Sequence, residues 1–332
     1  MAVVSTGARL HVGFQNLSLA HDRLYGGIGF GLAEPRVRVE ATRADTLRCA
    51  DPDVRPYAER VVEVLDVPGA NVTVVEDLPR HVGLGSGTQL ALATLVAVGA
   101  AYDREVDVRE FAPQLGRGGR SGIGVATFQV GGFVVDAGHP TERFTTEPPA
   151  DGEWRVPAVA ARHDLPDDWR AVIAVPDVPA GRSGDRENES MRSVVERADA
   201  SIADEIAGVV TRRLLPAAAE GDLDTFGAAI TDIERRNGAW YADEQGGVFR
   251  PPVGTIVSQF GDDPAVAGVG QSSWGPTVYG LTDTAHVDRA QDAARHALDA
   301  AGVSGEVRVC ALASDGARID ATPTDRVDVE NR

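Results

Sequence analysis

Lysine is absent from this chain: all 32 of its basic residues are arginine. That excludes a Walker-type phosphate-binding lysine, a Schiff-base lysine and a lysine general base. An anionic ligand has to be met by guanidiniums, backbone N–H groups or a metal. Cysteine is scarce too. Cys49 and Cys310 lie far apart with no CxxC-like spacing. Structural thiols in a reducing compartment are therefore expected, and zinc is not. The seven histidines show no ligand spacing, which argues against a histidine metal cage. No apolar run suits a membrane span; the longest, Leu90 to Ala101, is broken by Thr94. The first residues carry no basic segment ahead of an apolar core, so a cytoplasmic chain without a signal peptide is expected. Positive charge is in deficit, with 50 acidic residues and a net charge of −18. General nucleic-acid binding needs the opposite balance. Such an acidic surface suits either a high-salt cytoplasm or an arginine-preferring, GC-rich genome.

What is present is a globular composition, 43% hydrophobic over 332 residues, enough for two domains. The chain is organised around Leu78 to Tyr102. A β-like run, Asn71 to Val75, leads to glycines at 83, 85 and 87 and then to an apolar stretch from Leu90. That order predicts strand, glycine-rich loop and helix start. Glycine permits close backbone approach, and the first helical N–H groups offer an anion site. A plain strand-to-helix turn capped by Thr88 is the simpler alternative.

Residues 2–41 read as paired strands, with Val37, Val39 and Ala41 alternating with charged residues. Four glycines within Gly26 to Gly31 suggest bulges or close approach of a ligand to the backbone. Helices are expected over Asp53–Leu65 and Asp107–Leu115. A second glycine-rich loop, Gly116 to Gly124, carries Arg117 and Arg120 and precedes a strand at Gly132–Asp136. Thr145 to Pro166 reads as a link. The second half then begins with a strand at Trp169–Val175 and a polar loop with Arg182 and Arg186. A long helix is expected from Ser190 to Val209, and another from an Asp222 cap burying Leu223, Phe226, Ile230 and Ile233. A third glycine pattern, Gly268 to Pro276, leads into a strand at Val278–Leu281. A helix from Asp283 or Thr284 to Gly302 and a closing strand at Val307–Ala311 follow. The second half thus reads β, α, α, β, α, β, an α+β sandwich.

The three Gly/Ser loops, and Pro79–Ser86 (PRHVGLGS) above all, resemble the GHMP superfamily of small-molecule kinases. Six segments are more specific: Arg9–Phe14, Tyr25–Leu32, GLGSGTQ at 83–89, GGRSGIG at 118–124, GFVVDAG at 132–138 and SSWGPTVY at 272–279. Together they resemble the β-ribofuranosylaminobenzene 5′-phosphate synthase family. The resemblance implies a ribosomal-protein-S5-like first domain (1–160), a ferredoxin-like second domain (161–325) and a polar tail (326–332). It implies that phosphoribosyl pyrophosphate reacts with 4-aminobenzoate or 4-hydroxybenzoate, losing pyrophosphate and CO2, on the route to methanopterin-type carriers. Magnesium is the implied cofactor. Two features depart from the pattern. The third loop lacks the kinases' GxGxGG-like sequence, and Asp185 stands where the family's longer glutamate is expected.

On this reading the backbone of Gly83, Leu84, Gly85, Ser86, Gly87 and Thr88 holds pyrophosphate, with Ser86 or Thr88 near magnesium. Asp136 is a second magnesium candidate, or a turn residue. Arg117, Arg120, Arg182 and Arg186 are candidates for phosphate and carboxylate. Arg9, His11, Ser121, Ser272 and Ser273 are further substrate candidates from the motifs, while Tyr25 and Trp274 are candidates for stacking on an aromatic substrate. His81 is expected in solvent. The expected partners are the two small substrates and a second copy in a homodimer. An ATP-dependent kinase and a non-catalytic ligand sensor are the rival readings.

Overall fold

A computed structural model of the chain describes residues 1–142, 149–181 and 185–321. The first half runs β1 (Ala2–Asn16), β2 (Arg23–Arg43), β3 (Arg48–Cys49), α1 (Arg55–Val64), β4 (Ala70–Glu76), α2 (Ser86–Ala101), α3 (Val108–Phe111), α4 (Ile123–Val130), β5 (Phe133–Asp136), β6 (His139–Pro140) and β7 (Val159–His163). The second half runs β8 (Trp169–Pro176), α5 (Asp185–Arg197), α6 (Ala200–Val209), α7 (Leu215–Glu220), α8 (Leu223–Gln245), α9 (Val253–Gly261), β9 (Gly268–Gln271), β10 (Val278–Asp283), α10 (Val287–Ala300), β11 (Gly305–Ala311) and β12 (Arg318–Ala321).

The first sheet is built on the β1–β2 hairpin, in which Val4 faces Val39 and Leu10 faces Phe30. Burial alternates along Ala2–Leu10, the two-residue period of a strand with one face in the core. β2 is long enough to serve two neighbours, β5 along its first half and β4 along its second. The helix over this sheet is α2. Apart from Gly87, Thr88 and Ala100 its residues are buried, as expected of a helix apolar all round.

The second sheet is antiparallel in the order β11-β8-β10-β9. Its strands alternate between two cores. Val172 and Ala174 face α9 and α10 in a core with Ile256, Phe260 and Ala294. Ala171, Ile173, Tyr279 and Leu281 face the other way, into the main core with Phe226 and Ile230 of α8. Ring contacts join the first sheet to this half: Phe30 to Tyr279 of the second sheet, centroids 5.9 Å apart, and Phe133 to Phe226 of α8 at 5.1 Å.

Four expectations need correction. The link Thr145–Pro166 contains β7, which pairs with β5 in the first sheet, and β12 returns to pair with β1. Sheet membership therefore puts residues 161–163 and 318–321 with the first domain. The glycines of 26–31 make room for protein, not ligand. A Cβ at Gly27 would sit 2.2 Å from Ser121 Oγ, and one at Gly29 would sit 2.4 Å from the Leu10 carbonyl oxygen. The helix expected from Ser190 to Val209 starts at Asp185 and breaks at Asp199, whose side chain accepts from the Ser201 N–H and opens α6 as a cap. Finally, α4 and α9 were not foreseen. The tail beyond 321 lies outside the described residues.

Candidate active site

The site begins at the loop entering α2. Gly83 and Gly85 take φ of +103° and +80°, values that side chains rarely adopt. Space imposes the same choice. A Cβ at Gly83 would lie 2.3 Å from the Ser272 carbonyl oxygen, and one at Gly85 would lie 2.8 Å from Arg9 Cγ. The Gly85 carbonyl accepts from the N–H groups of Thr88 and Gln89, each at 3.1 Å. Among the described residues the N–H groups of Ser86 and Gly87 have no acceptor. These two free donors stand at the positive end of a fully formed helix. The expectation that Thr88 contributes its N–H is thereby corrected, although Thr88 does line the cleft in front of the helix.

Two guanidiniums flank this helix start. Arg9 Nη1 donates to the Gly83 carbonyl at 2.6 Å, and its backbone N–H donates to Leu84. Burial lowers the Arg9 pKa to about 10, with Glu187 opposing the shift, so the side chain stays cationic at neutral pH. Arg117 Nη2 donates to the Tyr57 hydroxyl at 2.7 Å. Its guanidinium carbon lies 5.2 Å from the centre of the Tyr57 ring. A Cβ at Gly87 would touch that guanidinium at 3.4 Å. Arg117 Nε is buried and without a protein partner. Arg120, on the same loop, pairs with Glu187 at 2.8 Å and also with Asn188. Arg9, Arg117 and Arg120 all line one cleft of about 620 Å³.

Behind them runs a chain of polar groups. His11 Nε2 and Ser121 Oγ are 3.1 Å apart, and Ser121 reaches toward Asp136 Oδ2 at 3.5 Å. Burial, reinforced by the charge of Arg9, lowers the His11 pKa to about 3, so the ring is neutral. Asp136 is fully buried. It accepts from the Gly122 N–H at 2.7 Å and the Gly138 N–H at 2.8 Å, and also from Gly27. Burial still raises its pKa to about 6. With both oxygens engaged and no place in the cleft wall, Asp136 acts as a clasp between loops and not as a metal ligand.

Ser272 is reassigned in the same way. It is fully buried; its Oγ donates to the Gly83 carbonyl at 2.7 Å and accepts from the His11 N–H at 3.0 Å. It joins the third glycine pattern to the α2 loop and to β1 without lining the cleft. Ser273, exposed and at φ +57°, does line the cleft. Tyr25 is 3% exposed, packs between Phe14 and His139, is hydrogen-bonded by Arg120, and leaves the stacking role to others. Arg182 lies outside the described residues. Arg186 belongs to α5, but its side chain lies outside them. His81 is exposed, as expected.

The opposite wall was missed from the sequence. One stripe of α8, comprising Glu234, Asn237, Gly238, Tyr241 and Gln245, lines the cleft. Asn237 clamps β1 in place, accepting from the Phe14 N–H at 2.7 Å and donating to the Phe14 carbonyl at 3.0 Å. The Tyr241 and Trp274 rings meet edge to face at 4.8 Å. Phe14, Phe249, Met191 and Trp154 complete an apolar lining. The available signal was Glu234 and Asn237 continuing the buried stripe of Ile230 and Ile233, polar residues where apolar ones belong.

The third glycine pattern serves packing. A Cβ at Gly268 would lie 2.2 Å from the Gly227 carbonyl oxygen, and one at Gly270 would lie 2.3 Å from Glu234 Oε1. Nor does the donor set fit a resident magnesium ion. No group of three or more His, Cys, Asp or Glu among the described residues can hold a metal. Of the acidic groups near the loops, Asp136 is consumed by amides, Glu187 is paired with Arg120, and Asp151 beside Gly116 lines the cleft as a single carboxylate.

Comparison with known proteins identifies the family. The GHMP kinases N terminal domain matches residues 54–132, and the GHMP kinases C terminal domain matches 214–300. A homoserine kinase from Cytophaga hutchinsonii superposes with a TM-score of 0.65 at 17% identity, over 96% of this chain and 97% of that one. That likeness concerns the fold. The beta-ribofuranosylphenol 5′-phosphate synthase of Methanothermobacter thermautotrophicus is 33% identical over 296 residues, 85% of this chain and 88% of the relative. The same-named protein of Archaeoglobus fulgidus is 35% identical over 292 residues, 86% of this chain and 88% of the relative. With glycine loop, arginines and aromatic wall gathered in one cleft of this fold, the chain belongs to the β-ribofuranosylphenol 5′-phosphate synthase family of the GHMP superfamily.

Proposed function

We propose that this cleft joins the ribose of phosphoribosyl pyrophosphate to the ring of 4-hydroxybenzoate, with loss of pyrophosphate and CO2. The relatives' name specifies a ribosylphenol product, which favours the hydroxy acid over 4-aminobenzoate. The ring carbon bearing the carboxylate attacks ribose C1 while the C1–O bond to pyrophosphate breaks. The ring–carboxylate bond then breaks, its electron pair restores the aromatic ring, and CO2 departs. No ring proton has to be removed, so this step needs no general base. A chain without lysine, whose cleft histidine is held neutral, suits such chemistry.

The protein's task is then charge and water. The free N–H groups of Ser86 and Gly87, with Arg9 and Arg117, stabilise the departing pyrophosphate. Arg120 leaves Glu187 for the 5′-phosphate or the acceptor carboxylate, with Arg182 and Arg186 as further candidates. Tyr241, Trp274 and Phe14 exclude water from the developing cationic C1. Magnesium travels with the diphosphate as part of the substrate. We further propose a cytoplasmic homodimer working at high salt, and no nucleic-acid partner.

The observation that carries the reading is the meeting of two unlike ends in one cleft, an anion end at α2 and an aromatic end at α8. Release of labelled CO2 from carboxyl-labelled 4-hydroxybenzoate tests it. The expected result is release that requires phosphoribosyl pyrophosphate and not ATP. ADP formation without CO2 would identify a kinase instead.

A further inference from the structure

Glu234 plays no part in the chemistry above, yet it is an acid with 4% exposure in the wall of the cleft. The Tyr279 hydroxyl donates to its Oε1 at 2.6 Å, and the Gln271 N–H also reaches the carboxyl. The fold makes space for it, because any side chain at Gly270 would collide with Oε1. Burial holds its pKa well above the usual carboxylate value, against the opposing hydrogen bonds from Tyr279 and Gln271, and among the described residues no arginine offsets this. A carboxyl accepts hydrogen bonds, and when protonated it donates one as well. Satisfying Tyr279 alone would not need an acid at the cleft surface.

An aromatic acceptor presents its carboxylate to the sugar and the arginines, so its para substituent points away from them. We propose that Glu234, braced by Tyr279, hydrogen-bonds that para substituent and so confines the acceptor to benzoates bearing a hydroxyl or amino group there. The inference rests on the proposed function, whose acceptor it specifies further. A site built to hydrogen-bond a substrate hydroxyl strongly rejects an analogue lacking it, because its own polar group is then left unpaired.

Calorimetric titration with 4-hydroxybenzoate and with 4-methylbenzoate, which has the same shape but no such group, tests the proposal. Wild type should prefer the hydroxy compound by about tenfold or more. Glu234→Gln should keep that preference. Glu234→Leu should bring it to within about twofold while phosphoribosyl pyrophosphate binds as before. A leucine variant that retains the full preference, or that loses sugar-phosphate binding as well, overturns the proposal. If that variant does not fold, Gly270→Ala, whose methyl must displace the carboxyl, is held to the same two outcomes. CO2 release by wild type is measured separately, so failure of the reaction and failure of the selectivity are told apart.

Discussion

Arg120 is the residue whose proposed role is most easily tested. It is paired with Glu187 at 2.8 Å, also bonds Asn188 and Tyr25, and lines the cleft, so an arriving phosphate would compete with a partly exposed carboxylate and two neutral groups. Arg120→Ala should lower kcat/KM for phosphoribosyl pyrophosphate by at least ~1.5 kcal/mol, the lower end for a charged hydrogen bond. Steady-state kinetics checks this, and wild-type values would remove Arg120 from the site. His11 makes a different prediction. Its folded pKa, about 3, is below the usual 6.5, so the unfolded chain takes up the proton first. The His11 contribution to stability is therefore intact above pH 6.5 and is lost as pH falls toward 3. Denaturant titrations at pH 7 and pH 5 should show wild type losing more stability on acidification than His11→Gln. The arginines and glycines of these motifs could be read from sequence by residue type. That Ser272, Asp136 and Tyr25 face inward could not, because a serine that bridges two loops looks the same in sequence as one that binds substrate.

The loop–helix unit at Gly83–Ala101 was legible as an element. Glycines directly ahead of an apolar run leave little choice but a turn opening a buried helix, and α2 starts at Ser86 as that pattern requires. Gly85→Ala tests the turn. At φ +80°, with Arg9 Cγ only 2.8 Å from the added carbon, the change should cost ~1–2 kcal/mol in strain. It should also raise KM for phosphoribosyl pyrophosphate by shifting Arg9; thermal melts and kinetics together check both effects. α8 was legible as a helix through its Asp222 cap, but not as a wall of the site. Its cleft stripe mixes Glu234, Asn237 and Tyr241 with the apolar row, and periodicity cannot say that two sheets meet there. The long helix expected after Ser190 failed for a local reason: Asp199 caps α6 more favourably than it continues α5.

For the whole molecule, the α+β pattern of the second half followed from the order of predicted elements and the two-domain plan from the family resemblance, whereas the return of β12 to β1 followed from neither. A short strand paired with residues some three hundred positions away leaves no periodic trace. The charge of −18 with no lysine bears on solvent, not fold. Melting in molar KCl should raise Tm relative to dilute buffer as screening relieves carboxylate repulsion; no rise would refute the high-salt reading. Among the described residues no helix is long and apolar enough to cross a membrane. The proposed function depends on one proposed contact above all, the grip of the α2 entrance on the diphosphate. Amide NMR of the 15N-labelled protein during titration with phosphoribosyl pyrophosphate tests that grip most directly. The Ser86 and Gly87 signals should shift most, together with those of the Arg117 loop; unmoved Ser86 and Gly87 signals alongside large shifts elsewhere would contradict the account.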